Sequence, residues 1–297
     1  MPDASKYLDP KVLGRLNKLD FKARKIVEGF MLGRHRSPFR GISVEFAEHR
    51  EYAPGDDLRH LDWKVFAKSE RYFVKRYETD TNMRSYFMLD CSDSMTYRSG
   101  NNISKLEYGS YLVASLAYML SQQQDAVGLV AFHNEIAADL DPGSSPSHLK
   151  RVFHSLETLK SAPRTDVGGI LNKVAGRMKS RGLAVIVSDL FDDPAKIMLG
   201  LHHFWHRKHD TILFHILDPE EVNFTFAGTH VFQALEGSLK LTCDPRDLRE
   251  AYLAEINKHI DEIRAGCRKN GIDYVQILTS EPLDVALSSY LALRSKR

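Results

Sequence analysis

The segment Ser85-Tyr86-Phe87-Met88-Leu89-Asp90-Cys91-Ser92-Asp93-Ser94-Met95 contains a short apolar run that ends on an aspartate. A run of this length, bounded by polar residues, reads as a buried strand of a parallel sheet. Two hydroxyls follow Asp90 at alternate positions, Ser92 and Ser94. In open α/β sheets ligands bind just beyond the carboxyl ends of the strands. Asp-x-Ser-x-Ser therefore puts three hard oxygen groups where such folds bind. Hard oxygens suit Mg²⁺ or Mn²⁺, which prefer carboxylate, hydroxyl and water. The same serines would also serve as helix caps and loop-amide acceptors, so this segment alone leaves both readings open.

Two later stretches extend the pattern. Arg164-Thr165-Asp166-Val167-Gly168-Gly169 precedes an amphipathic run, which places Thr165 in a loop at a helix start. Leu183-Ala184-Val185-Ile186-Val187-Ser188-Asp189 is a second buried strand ending on an aspartate. This hydroxyl loop, threonine loop and strand-end aspartate, in that order, resemble the metal-ion-dependent adhesion site of von Willebrand factor A domains. The resemblance implies that Ser92, Ser94 and Thr165 approach a Mg²⁺ or Mn²⁺ ion. It also implies that Asp90 and Asp189 bond to the ion mostly through water. All five positions match in residue type.

From residue 84 strand and helix alternate, as a doubly wound, mostly parallel α/β sheet requires. The predicted helices cover 103–123, 147–159, 167–179, a span through Trp205, 247–270 and a final segment after Leu278. The predicted strands cover 126–132, 211–217 and 274–278, with 135–140 as an edge hairpin and 229–242 as a hairpin insert.

Residues 1–82 read as an N-terminal helix-and-strand extension to an A-like domain over 83–297. The extension holds a basic helix over 10–32, strands at Ile42–Phe46 and Tyr72–Tyr77, and a short helix at Leu58–Lys64. Its run Pro54-Gly55-Asp56-Asp57-Leu58-Arg59-His60-Leu61-Asp62-Trp63 resembles the signature before the A-type domain in the bacterial "domain of unknown function 58" family. Together with the metal motif, that resemblance covers nearly the whole chain. Asp57, Arg59 and Asp62 suit an ion-pair network pinning the extension, with Trp63 as its apolar anchor.

At 297 residues, with 43% hydrophobic and 27% charged residues, the chain has the make-up of an ordinary globular protein. A net charge of +2 gives the whole molecule no polyanion-binding character. Lys11, Arg15, Lys18, Lys22, Arg24 and Lys25 make the first helix basic, but no aromatics interleave for base stacking. A solvated face is therefore expected there, and nucleic acid is not the expected partner. The three cysteines form no Cys-x-x-Cys pair, and no stretch is long enough to span a bilayer. A cytoplasmic protein is expected.

Catalytic patterns are missing from the sequence. No phosphate loop, Gly-x-Gly-x-x-Gly or Gly-x-Ser-x-Gly occurs. A phosphatase of the haloacid-dehalogenase type needs a second aspartate where Ser92 stands. His202, His203, His206 and His209 lack the His-Glu-x-x-His pattern of a zinc site and read as solvated or capping groups. The expected function is divalent-metal-dependent protein–protein interaction, without enzymatic turnover. The partner would present an acidic side chain, and the resemblance points to a MoxR-type AAA+ ATPase or its client. Because Asp90, Cys91, Ser92 and Ser94 read as loop positions, their substitution is expected to spare folding.

Overall fold

The computed structural model describes residues 83–163, 166–178, 180–226, 228, 230–233 and 240–294, with 23, 46–51 and 72–77. The chain divides into two compact units, the smaller over Arg34–Asn82. Its described part is an antiparallel ladder of β1 (Phe46–Glu51) and β2 (Phe73–Tyr77), with an irregularity between Phe46 and Glu48. The first strand thus starts at the last residue of the stretch expected from alternation. Apart from the helical, buried Ala23, the expected basic helix lies outside the described residues, as do Ile42–Glu45 and the short helix with Trp63.

In the larger unit the chain runs β3 (Arg84–Asp90), α1 (Lys105–Gln122), β4 (Ala126–Phe132), β5 (Ile136–Gly143), α2 (Pro146–Thr158) and α3 (Val167–Arg177). It continues through β6 (Leu183–Ser188), α4 (Pro194–His206), β7 (Asp210–Leu217) and α5 (Pro219–Asn223). Then come β8 (His230–Gln233), β9 (Lys240–Cys243), α6 (Pro245–Lys269), β10 (Asp273–Leu278) and α7 (Leu283–Arg294). The central sheet has the order β10-β7-β6-β3-β4-β5. All neighbours are parallel except β4 and β5. β8 and β9 pair as the expected hairpin. β5 runs on to Gly143, three residues past the expected edge hairpin, so Asp141 and Pro142 belong to an edge strand. An edge position tolerates proline because its missing N–H can face away from the ladder.

The apolar runs are continuous because the central strands are covered on both faces. On one face Met88, Ile186 and Leu213 join a buried cluster with Ile170 and Leu171 of α3, Leu201 and Phe204 of α4, and Ile263 of α6. On the other, Leu89 and Val187 meet α1 at Gly109, where a Cβ would lie 2.9 Å from Leu89 Cδ1. Adjacent residues of β3 therefore serve opposite cores, the period of two that a strand imposes. Met88, Met95, Met119 and Met178 are all buried, as packing residues should be.

Local sequence explains how α3 is set. Asp166 caps it, accepting from Gly169 N at 3.0 Å. A Cβ on Gly169 would collide with that carboxylate, and one on Gly168 would lie 2.4 Å from Lys196 O of α4. The Gly168-Gly169 pair thus permits both the cap and a backbone-close helix crossing.

A candidate cation site at the carboxyl end of the sheet

Strand order reverses between β3 and β6: β4 and β5 continue on one side, β7 and β10 on the other. That switch point is where doubly wound sheets leave a crevice beyond the strand ends. Asp90 ends β3, and Asp189 and Asp218 follow β6 and β7 directly. Because β3 and β6 are paired neighbours, Asp90 and Asp189 come together at the switch point.

Each oxygen at the switch point has a defined partner. Asp90 Oδ1 accepts from Ser92 N at 2.9 Å and Oδ2 from Ser188 Oγ at 2.7 Å. The hydroxyls of Ser92 and Ser94 are 2.9 Å apart. The loop that carries them is clamped from two sides. Cys91 N donates to Phe132 O of β4, and Asp93 N to Ala162 O. Ala162 thereby brings the chain just ahead of residues 164–165 alongside Ser92. Arg164 and Thr165 themselves lie outside the described residues.

Burial is deeper than loop positions suggested. Asp90, Cys91 and Ser92 are fully buried, and Asp189 is 3% exposed. The premise that these side chains lie in loops or on the surface is therefore corrected: β4, β6 and the 160–163 segment close over this turn. Burial pushes the Asp90 carboxyl up to about 7, with the Asp189 charge adding to it. Asp189 goes the other way. Burial alone would raise it, but the Lys105 ammonium and the hydroxyl of Ser94 hold it below the usual carboxylate range. The Cys91 thiol is pushed up to about 12 by burial and by Asp90, and it donates to Phe132 O.

Lys105, Glu221, Asp218 and His215 were not singled out in the sequence, yet all shape this region. Lys105 Nζ lies 2.8 Å from Asp189 Oδ2 and 2.5 Å from Glu221 Oε1. Glu221 is fixed by a capping box with Asp218. Asp218, fully buried, accepts from Ser99 N, Glu220 N and Thr279 Oγ1, which ties three loops together. His215 donates from Nε2 to Asp189 O at 2.9 Å and accepts from Tyr274 OH at Nδ1. Burial pushes His215 down to about 4 against the pull of Asp189, so it is the neutral donor.

The turn after Asp189 is unusual. Leu190 is buried in the left-handed region at φ 54°, a conformation costing about 1–2 kcal/mol for a residue with a Cβ. Ser188 Oγ accepts from its N–H, while Asp192 N and His259 Nε2 donate to its carbonyl. The consequence is that Asp189 points inward and Phe191 stands 71% exposed beside the site.

The histidine group near α4 is split by the structure. His202 and His206 are exposed, with His202 beside Asn270 Oδ1. His209 is buried against Phe204, and its ring nitrogens have no hydrogen-bond partner among the described residues, which corrects its reading as a solvated or capping group.

Among the described residues no three His, Cys, Asp or Glu side chains are grouped to hold a metal. The donors at the switch point are instead two carboxylates and two hydroxyls. An all-oxygen set of this kind fits a hard dication that keeps several waters.

Residues 48–262 match the profile of the family described as "Protein of unknown function DUF58". The chain belongs to the DUF58 family. This DUF58 chain is 23% identical to an uncharacterized protein of Mycobacterium bovis over 97% of its own length and 91% of the relative's. A Mycobacterium tuberculosis protein matches equally. Among solved structures, the conserved hypothetical protein BatB from Bacteroides thetaiotaomicron superposes with a TM-score of 0.50 at 18% identity. That likeness covers 72% of the DUF58 chain and all of BatB, and it shows the fold. The SpRpn10 VWA domain is more distant, with a TM-score of 0.40 at 15% identity over 69% of this chain and 94% of that domain. The DUF58 chain thus shares the fold of BatB, built on a mostly parallel six-stranded sheet. No helix among its described residues is long and apolar enough to cross a membrane.

Proposed function

We propose that this DUF58 protein is a divalent-metal-dependent protein-interaction module that acts in the cytoplasm by binding rather than turnover. The observation that carries the reading is the convergence of Asp90, Ser92, Ser94 and Asp189 at the switch point of the sheet. Ser92 and Ser94 would meet a Mg²⁺ or Mn²⁺ ion directly, with Asp90 and Asp189 held to it through water, and Thr165 is proposed as the fifth contact. When bound, the ion supplies an open coordination position for an acidic side chain of a partner. Phe191 supports the same face as a binding surface, because an exposed phenyl ring beside a polar site is an apolar anchor for a docking chain.

Turnover has little to draw on here. Cys91 is a buried thiol held protonated, Ser92 stands where a second catalytic carboxylate would be needed, and His215 is engaged on both nitrogens. The partner class, a MoxR-type AAA+ ATPase or its client, is proposed from the family resemblance. The test is capture of such an ATPase by the full chain in Mg²⁺ and in EDTA, beside Asp90→Asn. Mg²⁺-dependent capture by wild type, lost in the variant, is the expected result. Capture indifferent to both metal and Asp90 would refute the reading.

A further inference from the structure

Lys105 is the one cation built into the described part of the site, and the metal reading alone gives it no role. Its position opposes ordinary preferences twice. It opens α1 directly after the cap Ser104, at the positive end of the helix dipole. It is also only 1% exposed, and an ammonium is costly to bury unless paired. Its pairing is specific: Nζ contacts Asp189 Oδ2 at 2.8 Å and Glu221 Oε1 at 2.5 Å, 5.8 Å from the centre of the Tyr97 ring. Glu221 cannot follow the lysine freely, because its other oxygen accepts from Asp218 N at 2.7 Å. Asp189 is likewise fixed, with Oδ1 accepting from Phe191 N. The ammonium is thus held at the Asp189 carboxylate, which directly follows the strand paired with β3.

We infer that Lys105 is a tethered counter-cation that competes with the divalent ion for Asp189, keeping the site assembled without metal and setting its metal affinity low. This rests on the proposed metal site. A fixed positive charge so near a dication opposes it by direct repulsion, and burial weakens solvent screening of that repulsion. The same charge offsets the mutual repulsion of Asp90 and Asp189 when no metal is bound.

The test is Mn²⁺ binding followed by the electron paramagnetic resonance of free Mn²⁺, on full-length wild type, Lys105→Met and Lys105→Arg. The expected result is at least tenfold tighter binding by Lys105→Met, with Lys105→Arg no tighter than wild type. Equal or weaker binding by folded Lys105→Met overturns the inference while leaving the metal site standing. Binding by the variant alone supports the inference and removes the wild-type metal reading. No binding by either protein removes both. If Lys105→Met fails to fold in EDTA, recovery of its circular dichroism on refolding in Mn²⁺ supports the inference, and no recovery counts against it.

Discussion

Lys105 and Asp189 form an ion pair 2.8 Å apart in which each side chain is only 2% exposed. Removing one member of such a pair strands the other, which typically costs about 3–5 kcal/mol. Lys105→Met should therefore lower unfolding stability by that amount in EDTA. Urea denaturation followed by circular dichroism measures it, and a loss under about 1 kcal/mol would mean the pair is solvated and carries little energy.

Asp90 is the opposite case, a buried carboxylate whose charged form burial and Asp189 disfavour. Asp90→Asn keeps the side chain's shape and an oxygen for Ser92 N, while removing the charge. In EDTA at pH 8 the variant should be at least as stable as wild type. With Mg²⁺ at a hundredfold excess over its dissociation constant, wild type should gain about 2.7 kcal/mol and the variant nothing. Thermal unfolding with and without Mg²⁺ checks both halves.

His215 gives a pH dependence of defined sign. Its folded value of about 4 lies below the ordinary histidine value of about 6.5. Such a group contributes stability above pH ~6.5 that is lost as pH falls through about 4. Asp90, raised to about 7, acts in the reverse sense: its contribution is present at low pH and lost as pH rises through 7. The clean observable is thus the difference between wild type and His215→Gln in EDTA. Wild type should lose stability relative to the variant from pH 6.5 to pH 4, and a pH-independent difference would contradict this.

Phe191 should matter for binding and not for folding. At 71% exposure its removal uncovers little core, so Phe191→Ala should change stability by no more than about 0.5 kcal/mol. Partner affinity, measured by calorimetry, should fall by tenfold or more. Unchanged affinity would place the contact surface elsewhere.

The sequence carried the parts of this architecture that are local. Strands ending on Asp90 and Asp189 were legible because apolar runs stop where chain leaves the sheet, and the alternating hydroxyls sit in one continuous segment. Helix starts expected at 103, 147, 167 and 247 lie within two residues of those observed at Lys105, Pro146, Val167 and Pro245. The partners of the site were not. Lys105 meets residues 84 and 116 positions away, and Asp218 meets Ser99 across 119. Pairings at that range follow from strand order, which no local pattern encodes. One signal was present: a lysine in the first turn of a helix opposes the dipole and implies an acidic neighbour. The depth of Asp90, Cys91 and Ser92 was misjudged for the same reason, since β4, β6 and the 160–163 segment bury that turn.

The central claim is that oxygen groups of β3, its loop and β6 hold one divalent cation. Mn²⁺ titration of the full chain by electron paramagnetic resonance tests it most directly, comparing wild type with Ser92→Ala/Ser94→Ala in folded samples matched by circular dichroism. One saturable Mn²⁺ per wild-type chain, weakened at least tenfold in the double variant and displaced by excess Mg²⁺, is the predicted result. Absence of saturable binding by wild type, or equal binding by the double variant, would contradict it.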